Sequence, residues 1–493
     1  MRTNKLSMLL GVGIIALCAS TPALANQPEA AQPEVTSEVV PEEEINAAQN
    51  ADLSLLQAQV DALQAQIEQL KKGVASASPT WKGAPEWADK DKGFKFKIRG
   101  RLMYDAGYVS NPFLTEADYL AASPSKALGF NSRVRRARLG VEGALPGGFN
   151  YKAEADFANS AVSWADVFLE WKGKGPLSVR AGHFETFQSL EQITSSRHIT
   201  FMERAQMNDA FGHARRLGLA VGVDSGDLLF RAGVFNDTIN SDVNNDEWLF
   251  GARLVYAPMM GSNQLHFGVN YQHREFNSQA LNFRYRARPF VTTTDVRFVD
   301  TNTFDAKSDD VIGVEAAGVF GSFHVVAEGQ WVKPNVLTPT DVLAAGDSAG
   351  TTNRLLSDPE FWSFYAEAGY WLTGETRGYK KGEWDRTKVL KPINEGGIGA
   401  IGVNLRYDYL DLNRAVLRSG GSGTSTSRGG SQTGYLASLI WQPIDYVRIT
   451  AQYAHAEIEG GPFAGAVKPT ATVPNNERDY GVDTFAMRFA FDF

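Results

Sequence analysis

The chain has 493 residues, a formal net charge of −8, 43% hydrophobic residues and a single cysteine, Cys18. The mild acidic balance argues against a nucleic-acid partner, and one cysteine excludes a disulfide framework and a thiolate metal site. A mean hydropathy of −0.25 suits a soluble enzyme and equally a transmembrane barrel, in which polar lumenal residues alternate with apolar residues facing lipid.

Arg2 and Lys5 precede an apolar run from Met8 to Ala19, and Ala23-Leu24-Ala25 forms an A-x-A cleavage site. Residues 1–25 are therefore expected to be an export signal peptide, with the mature chain starting near Asn26. Cys18 lies inside it, and Ile15-Ala16-Leu17 lacks the small residue that a lipoprotein cleavage site needs before its cysteine. After the signal no run of about 18 apolar residues recurs, so no transmembrane helix is expected.

Residues 26–50, rich in Ala, Gln, Pro and Glu, cannot bury a core and read as a flexible periplasmic linker. Over 51–72 a heptad seam follows: Leu53, Leu56, Val60, Leu63, Ile67 and Leu70, at alternating spacings of three and four. It predicts one helix with an apolar stripe, either packed on its own domain or paired in a short coiled coil. Val60 and Ile67 at a positions lean toward a dimer on peptide rules, which a larger attached domain can overrule.

From Phe94 the period becomes two. Phe94, Phe96, Ile98, Leu102, Tyr104, Ala106 and Tyr108 share one face, and Lys95, Lys97, Arg99, Arg101 and Asp105 the other. The chain closes on Phe485, Met487, Phe489, Phe491 and Phe493 alternating with Ala486, Arg488, Ala490 and Asp492. A last strand ending on a terminal Phe resembles the assembly signal of outer-membrane barrels. Residues 94–493 are thus expected to form an all-β, transmembrane antiparallel β-barrel of about sixteen strands, an even number as bacterial barrels require. Short turns at 146–148, 173–176 and 225–226 fall on the periplasmic side. Long loops at 109–131, 185–213, 276–310, 334–359, 411–433 and 458–480 fall outside. The connection 373–398 is long yet periplasmic.

The stretch from Ser132 to Gly143 (SRVRRARLGVEG) resembles the second strand of the phosphate-selective porin O/P family. The stretch from Leu190 to Arg204 (LEQITSSRHITFMER) is similar to its third-loop segment, and Leu372 to Lys380 with Leu390-Lys391-Pro392 to its inserted periplasmic turn. The resemblance spans the whole barrel. It implies a homotrimer of sixteen-stranded barrels in the outer membrane of a Gram-negative bacterium, each conducting phosphate or pyrophosphate along an arginine ladder, with lysines nearer the mouths.

A channel for a strongly hydrated anion must replace its water with cationic donors spaced along a path, without one deep trap; Arg offers forked donors and Lys a point charge. Alternation places Arg99 and Arg101 on the lumenal face, and Gly100-Arg101-Leu102 matches the family's Gly-Arg-Leu. On the next strand Arg136, Arg138, Gly140 and Glu142 are expected inward, and Arg133, Arg135, Ala137, Leu139 and Val141 alternate with them as the other set, with the facing of Arg135, near the loop end, left open. Lys152, Glu154 and Asp156 point inward, and Asp156 matches an acidic residue near the family's constriction. The resemblance adds Arg197, where the family can have Lys, and Arg204 in the third loop. It also adds Arg284, Arg286 and Arg288, set at strict alternation, and Lys380 and Lys391 in the turn. The bland alternatives are rim charges, a basic loop edge and an ordinary lumenal salt bridge at Asp156.

The expected partners are small phosphate-type anions, the lipid bilayer and further copies of this chain. No cofactor and no metal are expected. A general or differently selective porin, whose coiled coil also tethers the membrane to the cell wall, is the alternative. An outer-membrane enzyme is a weaker reading, because neither His183 nor His198 has a nearby acid and nucleophile.

Overall fold

In this computed structural model the described residues are 42–493, apart from 78, 82, 90, 123–127, 159–160, 242–246, 277–280, 337–353, 356–357, 414–415, 421–422 and 428. The expected signal peptide and linker residues 26–41 lie outside the described residues. Helix α1 runs over Glu42–Ala77, nine residues earlier than expected and five later. Asn46, Ala47, Ala48 and Gln49, assigned to the linker from composition, are tolerable in a helix. Leu53, Leu56, Val60, Leu63 and Ile67 are all exposed on it.

Period-two alternation yields sixteen long strands: β1 Phe94–Val109, β2 Gly129–Leu145, β3 Phe149–Asp156, β4 Ser163–Lys172, β5 Leu177–Glu185, β6 Arg215–Ser225, β7 Leu228–Phe235, β8 Glu247–Tyr256, β9 Asn263–Phe276, β10 Phe304–Phe320, β11 Phe323–Val336, β12 Phe361–Trp371, β13 Ala400–Asp411, β14 Ser431–Ile444, β15 Val447–Glu459 and β16 Asp479–Asp492. Each pairs antiparallel with the next, as between β1 and β2, β8 and β9, and β15 and β16. β16 pairs back on β1, Thr484 opposite Val109 through Asp492 opposite Arg101. The sheet is therefore a closed antiparallel barrel, which leaves its sixteen walls no free edge. Pro85–Asp89 adds a short strand against the start of β1, so pairing begins before residue 94. β10 starts at Phe304 rather than near 311, taking in residues expected in a loop.

Leu102, Tyr104 and Tyr108 on β1 and Phe485, Phe489 and Phe491 on β16 are exposed on the outer wall, whereas Arg99, Arg101, Asp105 and Arg488 are buried on the inner one. Among the described residues no helix is long and apolar enough to cross a membrane; the strands do so, since closing the barrel satisfies every wall's backbone groups internally. The seam is completed by Phe493. Its N–H donates to Gly100 O at 3.0 Å and its carbonyl accepts from Gly100 N–H at 3.1 Å. The ring lies over Gly100, where a Cβ would come within 2.4 Å of it. Phe493→Ala is expected to lower the amount of assembled barrel while barrels that do assemble keep their conductance properties. The folded fraction on unheated gels, compared with single-channel records, checks this.

Inside, one side is filled. Phe201, Met202 and Met207 from the 186–214 loop and Tyr285, Phe290 and Phe298 from the 277–303 loop pack against Val311, Tyr365, Leu410 and Val482 of β10, β12, β13 and β16. The open lumen consequently lies along β1 to β8.

Candidate functional site

The 186–214 loop is folded into the barrel and held there by the wall. Glu328 on β11 accepts from the Leu190 and Glu191 N–H groups at 2.8 and 3.0 Å. Thr200 donates to Glu367 at 2.6 Å, the Met202 N–H donates to Gln452 at 2.9 Å, and Arg406 pairs with Glu191 at 2.5 Å. Arg204 then clasps the loop on itself, donating to the carbonyls of Glu191 and Thr194 at 2.8 and 2.7 Å. From the opposite end the 372–399 turn enters the barrel: its hairpin of Gly378–Lys380 with Glu383–Asp385 brings the Trp384 N–H within 3.2 Å of Thr194 Oγ1. Loop and turn thus meet.

Two chambers flank the loop. The lower one, of about 440 Å³, is lined by residues of β1–β8, the loop and the turn. Fourteen of its lining residues are Arg or Lys and five are Asp or Glu, so its walls are strongly electropositive. Arg99, Arg101, Arg136 and Arg138 stand together here. Glu154 pairs with three of them: Arg99 at 3.0 Å, Arg101 at 3.4 Å and Arg138 at 3.0 Å. Arg99 also pairs with Glu142, and Arg138 with Asp156 at 2.8 Å. Arg101 reaches the loop through Ser196 Oγ at 2.7 Å. Arg136 differs. It is only 5% exposed, its guanidinium donates to Met103 Sδ at 3.7 Å, and among the described residues no carboxylate is paired with it. A buried cation without a directly paired carboxylate is costly and is a place where an anion would be favoured.

The expectation that Arg133 faces away from the lumen is corrected by the register, which also fixes the facing of Arg135. Met103 pairs with Arg136 but Tyr104 pairs with Val134, leaving Arg135 as an extra residue in β2. Such a bulge switches the alternation: Phe130 and Val134 face out before it, and Arg133, Arg135, Arg136 and Arg138 all turn inward. Arg133 donates to Thr292 O at 2.9 Å, and Arg135 pairs twice with Glu203 of the loop at 2.8 and 3.0 Å.

The upper chamber, of about 160 Å³, is lined by Arg135, Glu203, Arg204, Asp209, Arg288 and Thr292 among others. Arg204 lines both chambers, so this residue stands between them. Arg197 lines the lower one and pairs with Asp492 at 3.1 Å. Burial and the Arg197 and Arg386 guanidiniums beside it hold the His198 imidazole well below its ordinary value, so it is neutral at pH 7. Of the alternating loop arginines, Arg288 joins the upper chamber, paired with Asp209 and Asp295 at 3.2 Å each. Arg284 is taken up by Asp300 and Arg286 is half-buried opposite Asp300; neither lines a chamber. Tyr285 and Ala287 between them are buried in the core, which turns the arginine edge the other way. Lys380 lines the lower chamber. Lys391 does not: it lies on the exposed far part of the turn, beyond the hairpin.

Arg180, Arg215, Arg231 and Arg253 also line the lower chamber and were not singled out from sequence. The alternation that found Arg101 places Arg180, Arg231 and Arg253 inward too, and they lack only a family motif to draw attention to them. Alternation puts Arg215 on the face of the exposed Leu217 and Leu219, and its pairs with Asp166 and Glu185 at 2.7 Å each hold it at the chamber.

The family described as phosphate-selective porin O and P matches residues 96–460. The chain belongs to this family. An uncharacterized protein of Caulobacter vibrioides is 35% identical over 436 residues, covering 86% of this chain and 78% of that one. Porin O of Pseudomonas aeruginosa is 27% identical over 446 residues, covering 84% and 91%. Among solved structures, the anion-selective porin from Comamonas acidovorans aligns with a TM-score of 0.44 at 12% identity, over 81% of this chain and all of that one. The porin is accordingly an outer-membrane protein of a Gram-negative cell, and a channel rather than an enzyme.

Proposed function

We propose that this porin is an anion channel for phosphate-type oxyanions, passing inorganic phosphate or pyrophosphate from Arg288 and Arg135, past Arg204, to Arg136, Arg138 and Arg101. The observation that carries the reading is the excess of cationic over acidic groups in the lower chamber around an Arg136 without a carboxylate partner. Partial neutralisation of its neighbours by Glu154 and Asp156 keeps the path from becoming a trap, since conduction needs binding that is favourable at several sites and tight at none. We also infer a homotrimer, with the exposed seam of α1 joining the copies as a coiled coil.

Reversal potentials in a potassium chloride gradient are expected to show anion preference, and phosphate added to one side is expected to block the chloride current. Anion preference without phosphate block would make the protein a general anion porin.

A further inference from the structure

The chamber is not polar all round. Lumenal positions of a water-filled barrel are ordinarily polar, yet the inward row of β4 reads Asp166, Phe168, Glu170, Lys172, with an aromatic ring among charges. Phe184 of β5, Phe187 just after it, Leu229 of β7, Val255 of β8 and Trp384 of the turn line the same space. The phenylalanines are backed by a buried cluster with Phe235 and Leu249. Phe168 and Phe184 meet edge to face at 6.2 Å, and the Arg180 guanidinium lies over both rings, 4.5 Å and 5.3 Å from their centroids. Arg180 pairs with Glu170 at 2.8 Å, but its buried Nε has no hydrogen-bond partner.

A bare phosphate ion gains nothing from such a wall, because leaving water beside a phenyl face costs hydration without returning a hydrogen bond. An oxyanion attached to a planar apolar group uses both halves. Its charged end meets Arg136 and Arg101, and its ring is removed from water against Phe168 and the flat Arg180 guanidinium. A volume of about 440 Å³ lies within the range of about 300–1,000 Å³ typical of small-molecule sites. We propose that the lower chamber selects oxyanions carrying a planar apolar body, aryl phosphates being the test case, over bare phosphate of the same charge. The inference rests on the oxyanion path proposed above and adds its apolar half.

The experiment compares half-blocking concentrations of phenyl phosphate, methyl phosphate and inorganic phosphate on chloride currents of the full-length porin in planar bilayers. Phenyl phosphate is expected to block at a concentration about tenfold below methyl phosphate, from the area of ring buried. In Phe168→Ala the ratio is expected to fall toward one; as a ratio, it does not depend on how many channels insert. Equal block by phenyl and methyl phosphate in the unaltered porin, with inorganic phosphate also blocking, overturns this inference and leaves the oxyanion path standing. A ratio that persists in both Phe168→Ala and Trp384→Ala overturns the assignment to this wall. Absence of block by all three anions overturns both readings. Should Phe168→Ala not assemble, the comparison in the unaltered porin decides.

Discussion

Arg136→Ala is expected to weaken block of the chloride current by phosphate by a factor of about five to over a hundred, the range that a charge-assisted contact of about 1–3 kcal/mol represents. It is expected to lower anion-over-cation selectivity as well. The effect should exceed that of Arg99→Ala. Arg99 is engaged by Glu142 and Glu154, so removing it frees carboxylates as well as deleting a cation, whereas Arg136 has no carboxylate to free. Arg136→Lys keeps the charge and loses the fork, and should fall between. Lys391→Ala is the control, because that side chain lies outside both chambers. Unchanged selectivity and phosphate block in Arg136→Ala channels would remove the arginine path as the mechanism and leave a wide pore with incidental lumenal charge.

The second large effect concerns the loop. Glu191, 3% exposed, accepts from Arg406 at 2.5 Å, the Ala205 N–H at 2.7 Å and Asn208 Nδ2 at 3.1 Å. Glu191→Ala leaves two buried donors, the Ala205 N–H and Asn208 Nδ2, unpaired, at about 1–3 kcal/mol each, and leaves Arg406 with Glu367 at 2.7 Å as its remaining carboxylate. The barrel walls are paired strand to strand and do not depend on it. The expected result is an assembled barrel whose loop is loosened, with higher single-channel conductance, weaker phosphate preference and faster proteolysis at Arg197 and Arg204. Glu191→Gln retains an acceptor without the charge and should be intermediate. Wild-type conductance and protease resistance in a folded Glu191→Ala protein would show that Glu328, Glu367 and Gln452 suffice to hold the loop.

Much of the barrel is legible in the amino-acid sequence alone. Side-chain alternation is a property of a single extended strand, so the outward Leu102, Tyr104 and Tyr108, the inward Arg99 and Arg101, and the positions of most strands follow from local sequence. The family motifs add the loop and the turn. The inward facing of Arg133 is not legible, because a bulge is a property of two strands: only the partner β1 reveals that Arg135 is the extra residue. Nor can sequence separate Arg136 from Arg138. They are two residues apart with the same side chain, yet Asp156 and Glu154 on β3 come opposite one and not the other. The loop arginines make the same point. Strict alternation places Arg284, Arg286 and Arg288 on one edge, but only the packing of Tyr285 and Ala287 into the core sets where that edge points, and Arg288 alone of the three lines a chamber. Which residues carry positive charge, and to which face of a strand most of them turn, is written locally in this chain. Which of those charges stand without a carboxylate partner is decided by strand register and loop burial, because neutralisation acts across ångströms between segments far apart in sequence.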